Sequence, residues 1–117
     1  MTPAYLILPY SHTEKLVREI RAIQADRAAA HLIERGYNVF SPISHSHRVA
    51  NYLNKDNDSE FWCALDDHWQ RQCAVVFVLM LSGWKSSAGV YRELMLACEL
   101  RQNIYYLDPI TLEITNA

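Results

Sequence analysis

Residues 74–80 form the most apolar run of the chain, Ala-Val-Val-Phe-Val-Leu-Met, and this run constrains the fold more than any other feature. A short run that is apolar at every position is typical of a strand buried on both faces, because a half-exposed strand alternates apolar with polar residues. Such strands occupy parallel sheets that helices cover on both sides. We therefore expect residues 74–80 to be the central strand of an α/β fold.

Other short apolar segments alternate with helical segments along the rest of the chain. The predicted strands are residues 4–8, 37–40 and 104–107. The predicted helices are residues 13–35, 59–72 (capped by Ser59) and 88–101. Between the second strand and the second helix, residues 43–59 are predicted to be a polar loop that contains a helical turn and the turn formers Asn54, Asp56 and Asn57. The alternating tail at residues 110–114 is a candidate edge strand. This order predicts one three-layer αβα domain over residues 1–117, with a parallel sheet of four or five strands.

Composition narrows the class of partner. The 11 Lys and Arg residues against 13 Asp and Glu residues give a net charge of −2, which disfavours nucleic-acid polymers and favours a small molecule. Gly36, Gly83 and Gly89 do not build the spacing of dinucleotide or triphosphate sites, so we expect no such cofactor. The first residues do not resemble a signal peptide and no apolar run is long enough to span a bilayer, so we expect a cytoplasmic protein without membrane contact.

The cysteines and histidines form no clear metal-binding pattern. Cys63, Cys73 and Cys98 are odd in number and lack a CxxC spacing, so we expect reduced, mostly packed thiols rather than a disulfide or a zinc site. His45 and His47 follow the second strand two residues apart, where they could bind a metal or a substrate. Because no third ligand stands at a companion spacing, hydrogen bonding to a substrate is the favoured interpretation.

The first helix carries an arginine within an apolar face. Leu16, Ile20, Ile23 and Ala30 share one face at helical spacing, and Arg27 falls within it. A guanidinium on a buried face must snorkel, pair or point into a ligand cleft. The alternative is that the helix bends or ends earlier and Arg27 lies at its rim.

The helix before the central strand carries a carboxylate within an aromatic stripe. Trp62, Asp66, Trp69 and Cys73 share one face, which should be buried. Burial would raise the pKa of Asp66 and favour a proton-donating form, whereas Asp67 lies about 100° round the helix and faces water. A structural carboxylate bonded to a backbone amide is the alternative for Asp66.

The loop between the central strand and the last helix is a candidate anion site. Residues 82–90 include Ser86, Ser87 and Gly89 at a helix N-terminus, where hydroxyls and free amides suit an anion. Glu93 follows about one turn inside the helix, and the positive end of the helix dipole would keep its carboxylate ionised. Ordinary helix capping is the alternative explanation.

Several segments of the chain together resemble a bacterial and phage domain of unknown function, DUF1937. The segments that carry the resemblance are residues 5–12, residues 36–47, Phe61 and Trp62 with Asp66, and residues 83–93, so that it covers nearly the whole chain. That family is itself similar to the nucleoside 2-deoxyribosyltransferases and the 2'-deoxynucleoside 5'-monophosphate N-glycosidases. The resemblance implies a flavodoxin-like or Rossmann-like fold of the nucleoside deoxyribosyltransferase type.

The resemblance also implies roles for individual residues. Glu93 matches the nucleophilic glutamate of those enzymes, and Asp66 matches the catalytic aspartate, with Asp67 as the rival if the register slips by one. Tyr5 resembles the tyrosine of their first strand, and Ser87 matches the serine that holds the 5'-phosphate. The further residues that we predict to contact substrate are Tyr10, Ser11, Arg27, His45, His47, Trp84, Ser86 and Gly89.

The activity implied by the resemblance is cleavage of the N-glycosidic bond of 2'-deoxynucleosides or their 5'-monophosphates, without a cofactor, by transfer or hydrolysis through a covalent glutamyl intermediate. A non-catalytic nucleotide-binding or sensor domain of the same fold is the alternative. The resemblance also suggests a homo-oligomer, because a neighbouring subunit often completes the site in this class. Two departures alter the pocket: Trp84 and Lys85 lengthen the loop before Glu93, and Ala74 stands where an aspartate is usual.

Overall fold

The computed structural model describes residues 2–55 and 58–116, which form a five-stranded sheet in the order β2-β1-β3-β4-β5. The strands are β1 (Pro3–Ile7), β2 (Asn38–Phe40), β3 (Val75–Leu79), β4 (Asn103–Leu107) and β5 (Ile114–Thr115). The helices are α1 (Lys15–Glu34), α2 (Pro42–Ser46), α3 (Ser59–Gln70) and α4 (Ala88–Glu99), with 3₁₀ turns at Val49–Tyr52 and Trp84–Ser86. This strand order is flavodoxin-like, and the predicted three-layer α/β fold is confirmed.

The central strand is the one that the sequence predicts. β3 pairs in parallel with β1 on one side and β4 on the other, with Val76 opposite both Tyr5 and Ile104. Val76 to Leu79 are fully buried. A strand with partners on both edges and helices on both faces has no side that meets water, which explains its uninterrupted apolar sequence.

α1 covers one face of the sheet through a side made of small residues. Ala22, Ala25, Ala28, Ala29 and Leu32 are the buried residues of this helix. Most of them belong to a core cluster with sheet residues such as Leu6 and Phe77. Small side chains let the helix backbone approach the strands closely while keeping the interior densely packed.

The predicted buried face of α1 is wrong. Leu16, Ile20 and Ile23 are 66%, 48% and 60% exposed, and Ala30 and Arg27 are exposed as well. The helical period is correct, but the sheet contacts the alanine side of the helix, so the more hydrophobic stripe faces outwards. Arg27 therefore lies neither in a cleft under the helix nor beyond its end, since the helix continues to Glu34.

α3 and α4 cover the opposite face of the sheet. The buried apolar residues of this layer are Tyr5, Ile7, Val76, Val78, Val90 and Ala97. The predicted buried stripe of α3 is only partly correct, because Trp69 is 42% exposed and Trp62 and Asp66 are half-buried. The fully buried residue of α3 is Gln70, so this helix turns a polar side towards α4.

The segment between β2 and α3 is more ordered than a loop. It contains α2, whose N-cap Ser41 accepts a hydrogen bond from the Ser44 amide and whose first residue is Pro42. The cap of α3 is Asp58 rather than Ser59, because the Asp58 carboxylate accepts from the Phe61 amide at 3.0 Å. The predicted turn formers Asp56 and Asn57 lie outside the described residues.

The C-terminal strand is shorter than predicted and runs in the opposite direction to the rest. β5 pairs antiparallel with β4, so the sheet is mostly parallel rather than wholly so. The Asp108 carboxylate accepts from the amides of Ile110 and Thr111, which forms a turn where the sequence predicts the start of the strand.

Two further expectations concern the burial of the cysteine thiols and the absence of a membrane-spanning segment. Cys63, Cys73 and Cys98 are free thiols; the first two are half-buried, whereas Cys98 is exposed, so the expectation that they are packed fails for Cys98. Within residues 2–55 and 58–116, no helix combines the length and the apolar character needed to cross a membrane.

Candidate active site

The carboxyl group of Glu93 is buried against the sheet. The hydroxyl of Tyr5 donates a hydrogen bond to Glu93 Oε2 at 2.9 Å. Strand alternation turns Tyr5 and Ile7 towards α4, and Val90, Glu93 and Ala97 share the inward side of that helix. The apolar stripe of α4 therefore places a carboxyl among core residues, and Glu93 is only 8% exposed.

Burial dominates the ionisation of this pair. It raises the pKa of Glu93 to about 8, with a further rise from the Asp66 charge and an opposing effect from the Tyr5 hydrogen bond. Burial also raises the pKa of the Tyr5 phenol far above its ordinary value, so that the phenol stays a donor. The prediction that the helix dipole keeps Glu93 ionised is wrong, because desolvation outweighs a field that fades beyond the first turn.

The two neighbouring aspartates of α3 have different partners. Arg92 donates to the Asp67 carboxylate in a close ion pair. Burial raises the pKa of Asp66 to about 6, although the Arg92 charge opposes the rise, and this confirms the direction predicted for Asp66. The charge of Asp66 raises the pKa of both Glu93 and Tyr5, whereas the charge of Asp67 raises that of Glu93 to a smaller extent, so Asp66 interacts more strongly with the pair.

Two buried glutamines that the sequence analysis missed connect α3 to Glu93. Gln70 Nε2 donates to the backbone oxygen of Glu93 at 2.8 Å and to Gln102 Oε1 at 3.2 Å. Gln102 Nε2 donates to the backbone oxygens of Gln70 at 2.7 Å and Cys73 at 2.9 Å. A signal was present in the sequence, since Gln70 stands four residues after Asp66 and so shares its side of the helix.

Tyr10, His45 and His47 lie at the carboxyl end of β1 and β2. Tyr10 Oη lies 2.6 Å from His47 Nδ1, which joins the segment after β1 to the end of α2. The exposed His45 ring lies 5.7 Å from that of Phe40. Phe40 in turn stacks on Tyr5, at 6.3 Å between ring centroids. Ring contacts therefore connect His45, through Phe40, to the tyrosine that is hydrogen-bonded to Glu93.

The loop before α4 is held by its own serines. Ser87 Oγ accepts from the Val90 amide at 3.2 Å and caps the helix, and Ser86 Oγ donates to the Gly83 oxygen at 3.2 Å. Gly89 is exposed in the first turn of α4. Trp84 is half-buried with its ring 5.8 Å from Tyr106, so it packs on the sheet. A surface concavity of about 460 Å³ is lined by residues 80–86.

Arg21, and not Arg27, is the arginine of α1 that bridges two loops at this edge. Arg21 Nη1 donates to the backbone oxygen of the exposed Ser11 at 3.1 Å, and Nη2 donates to that of Ser82 at 3.5 Å. One side chain therefore ties the loop after β1 to the loop after β3. Arg21 could not be singled out from the sequence because it does not interrupt the apolar stripe that contains Arg27.

Among residues 2–55 and 58–116, no three side chains of His, Cys, Asp or Glu lie together in a way that could hold a metal ion. The candidate site therefore consists of a carboxyl bonded to a phenol, a second carboxyl nearby, and a rim of aromatic and hydroxyl groups. Such a set can supply a nucleophile and a proton donor.

Comparisons with known proteins agree with the fold. One similar solved structure is a 2-deoxyribosyltransferase from the psychrotolerant bacterium Bacillus psychrosaccharolyticus, with a TM-score of 0.58 and 19% sequence identity over 97% of this chain and 77% of that chain. That protein is described as a biocatalyst for the synthesis of antiviral and antitumoral nucleosides. No curated protein matches the sequence. Residues 2–108 match the family described as a domain of unknown function (DUF1937), and the chain belongs to that family.

Proposed function

We propose that this protein cleaves the N-glycosidic bond of 2'-deoxynucleosides or of their 5'-monophosphates, with Glu93 as the nucleophile and Asp66 as the proton donor. The observation that carries the proposal is the buried 2.9 Å hydrogen bond from Tyr5 to Glu93, with Asp66 close enough to raise the pKa of both. Retaining cleavage of a glycosidic bond uses two such carboxyls in different roles. The likeness in fold to a 2-deoxyribosyltransferase supports the substrate class.

In the first step, an ionised Glu93 oxygen bonds to C1' of the sugar while the bond from C1' to the base nitrogen breaks. The electron pair of the broken bond stays on the base, and the proton of Asp66 neutralises it. In the second step, water or another base attacks C1' and Glu93 leaves as a carboxylate. The proton of the attacking group returns to Asp66, so hydrolysis and transfer differ only in the acceptor.

The two pKa values determine which protonation state can react. With the pKa of Asp66 at about 6 and that of Glu93 at about 8, the two carboxyls together hold one proton between these values. Productive chemistry needs that single proton on Asp66, which is the less populated of the two one-proton forms because the pKa of Glu93 is the higher. The hydrogen bond from Tyr5 favours this arrangement, since it stabilises the ionised form of Glu93.

A 5'-phosphate would lie at the start of α4. Ser87 Oγ accepts from the Val90 amide, so the hydroxyl hydrogen of Ser87 remains to donate to a phosphate oxygen. The amides of the first turn and the helix dipole favour an anion there, with Ser86 and Gly89 alongside. Tyr10, Ser11, His45 and His47 would then frame the sugar and base, and no cofactor takes part.

The test is to trap the glutamyl intermediate. Full-length protein is incubated with 2'-deoxy-2'-fluoro arabinonucleosides, whose fluorine slows release of the sugar, and peptides are analysed by mass spectrometry. We expect the mass of the fluorosugar on the peptide that contains Glu93, and release of free base from natural deoxynucleosides and their 5'-monophosphates. Glu93→Gln should show neither, whereas Glu99→Gln, an exposed position on the same helix, should show both.

Two results would contradict the proposal. Base release by Glu93→Gln equal to that of the wild type would remove Glu93 from the chemistry. Binding of a deoxynucleotide by calorimetry, without turnover of any deoxynucleoside or monophosphate, would instead indicate a nucleotide-binding domain that keeps the site but not the reaction.

A further inference from the structure

The backbone of Glu93 is held from outside its own helix. A carbonyl inside an α-helix already faces the amide four residues later, and Gln70 Nε2 adds a second hydrogen bond to the Glu93 oxygen at 2.8 Å. This added bond comes from α3, on the side where Asp66 also lies. It therefore links the two helices at the residue whose side chain is proposed to react.

Gln70 is itself held in one orientation. Gln102 Oε1 accepts from Gln70 Nε2, and Gln102 Nε2 donates to the backbone oxygens of Gln70 and Cys73. If the Gln70 amide turned over, an oxygen would face the Glu93 carbonyl and the Gln102 oxygen, which are both acceptors. Gln70 Nε2 therefore has a single orientation, in which it donates to the backbone oxygen of Glu93.

Packing alone does not explain an amide at this position. Gln70 is 0% exposed, and its Oε1 is buried without a hydrogen-bond partner among the residues that the structure describes. A buried acceptor without a partner lowers stability, and an apolar side chain of similar size would avoid that cost. The hydrogen bond that Gln70 Nε2 donates to the Glu93 backbone oxygen thus explains the amide better than a contribution to folding stability does.

We propose that Gln70, held by Gln102, is a positioning residue for Glu93: it fixes the rotation of α4 at this residue and so keeps the carboxyl against Tyr5. This inference rests on the proposed function for the role of Glu93, and extends it to two residues that touch no reacting atom. A small rotation of α4 would move the carboxyl away from the Tyr5 hydroxyl, and nucleophilic attack is sensitive to displacements of about 1 Å.

The experiment follows the Tyr5 hydroxyl proton by NMR in the full chain. We expect a downfield resonance protected from exchange with water in the wild type, assigned by its loss in Tyr5→Phe. In Gln70→Met, which keeps the length of the side chain but not its donor, this resonance should broaden or move upfield. With substrate, kcat should fall by about tenfold while KM changes by less than about twofold.

Leu32→Ala is the control, because Leu32 is equally buried but packs on the other face of the sheet. It should lower the melting temperature and leave the Tyr5 resonance and kcat unchanged. If Gln70→Met does not fold, Gln102→Met serves, since it removes the partner of Gln70 at a position nearer the surface, and the same change in smaller degree is expected.

The inference is overturned if a folded Gln70→Met keeps the Tyr5 resonance and its kcat, or if Leu32→Ala loses the resonance as well. These outcomes are separate from failure of the proposed function. A wild-type protein that releases no base would contradict the reaction, whereas the Tyr5 resonance would still show whether Gln70 positions Glu93.

Discussion

The two faces of the sheet share the same strands and differ in the chemistry of what they bury. The core cluster between α1 and the sheet consists of Ala, Leu and Phe side chains. The layer under α3 and α4 also contains the Tyr5 hydroxyl, the Glu93 carboxyl and the amides of Gln70 and Gln102. Alternation along each strand separates the two environments, so neighbouring residues of β1 serve different purposes.

This difference indicates a division between stability and reactivity. Apolar contacts stabilise the α1 layer without burying polar groups. In the other layer, each buried polar group lowers the stability of the fold unless it is hydrogen-bonded. Substitutions in the two layers should therefore affect different observables, and four experiments, taken from the largest expected effect to the smallest, test that separation.

Glu93→Gln should have the largest effect on activity, a loss of about 10⁴-fold in kcat/KM, because an amide cannot replace a carboxylate nucleophile. The same change should stabilise the fold. The pKa of Glu93 is raised from 4.5 to about 8, so wild-type stability falls as the pH rises through that window, whereas glutamine never ionises.

The measurement is base release together with thermal unfolding at several pH values. The melting temperature of Glu93→Gln should exceed that of the wild type by about 5 °C or more at pH 8, and the difference should shrink towards pH 4.5. A variant that is less stable than the wild type at pH 8 would mean that the carboxyl stabilises its own site, contrary to the comparison.

Leu32→Ala tests the opposite layer. Removing a fully buried leucine should lower the free energy of unfolding by about 3 kcal/mol, because a cavity remains against the sheet. Urea denaturation measures this loss, and kcat at 25 °C should stay unchanged in the folded protein. A fall in kcat comparable with that of a site variant would show that the two layers are not separate.

Asp66→Asn and Asp67→Asn form a matched pair within α3. Asp66→Asn should lower kcat about 10²-fold with natural deoxynucleosides, and less with a 4-nitrophenyl 2-deoxyriboside, whose leaving group needs no proton. Asp67→Asn should change kcat little, since its ion pair with Arg92 is about one-third exposed and worth about 1 kcal/mol or less. Equal effects of the two changes would contradict the assignment of Asp66.

Tyr5→Phe should have a smaller effect than Asp66→Asn, and a specific pH signature. The wild-type rate should be bell-shaped with limbs near pH 6 and 8, because both carboxyls are protonated below this range and both are ionised above it. Loss of the Tyr5 donor raises the pKa of Glu93, so the alkaline limb should move to higher pH and the maximum should fall about tenfold. An alkaline limb that stays in place would exclude this role for the hydrogen bond.

The four parallel strands could be predicted from sequence because each contains a short apolar stretch that turn or breaker residues follow, whereas β5 begins later than predicted. The packing side of α1 could not, since Leu16, Ile20 and Ile23 form a more hydrophobic stripe than the alanines that contact the sheet. Hydrophobicity measures the free energy of transfer from water, whereas the choice of face here depends on how closely a backbone can approach the strands.

The site was predictable in part. The resemblance places Glu93 and Tyr5 in the same site, and their hydrogen bond shows that they meet across 88 positions of sequence. The proposal of Asp66 over Asp67 draws on the coordinates, because it depends on the ion pair between Asp67 and Arg92, which lies 25 residues further along the chain. Gln70 was missed because a polar residue near the end of a helix usually faces water.

Arg21 holds the loops after β1 and β3 through their backbone atoms, and this has a consequence for how the two loops can vary in sequence. Arg21 binds the backbone oxygens of Ser11 and Ser82, and every amino acid supplies such an oxygen. The link between the two loops and α1 thus does not depend on which side chains stand at residues 11 and 82. Substitutions at residues 11 and 82 should therefore leave this link intact, so the side chains of the two loops can vary while their connection to α1 is kept.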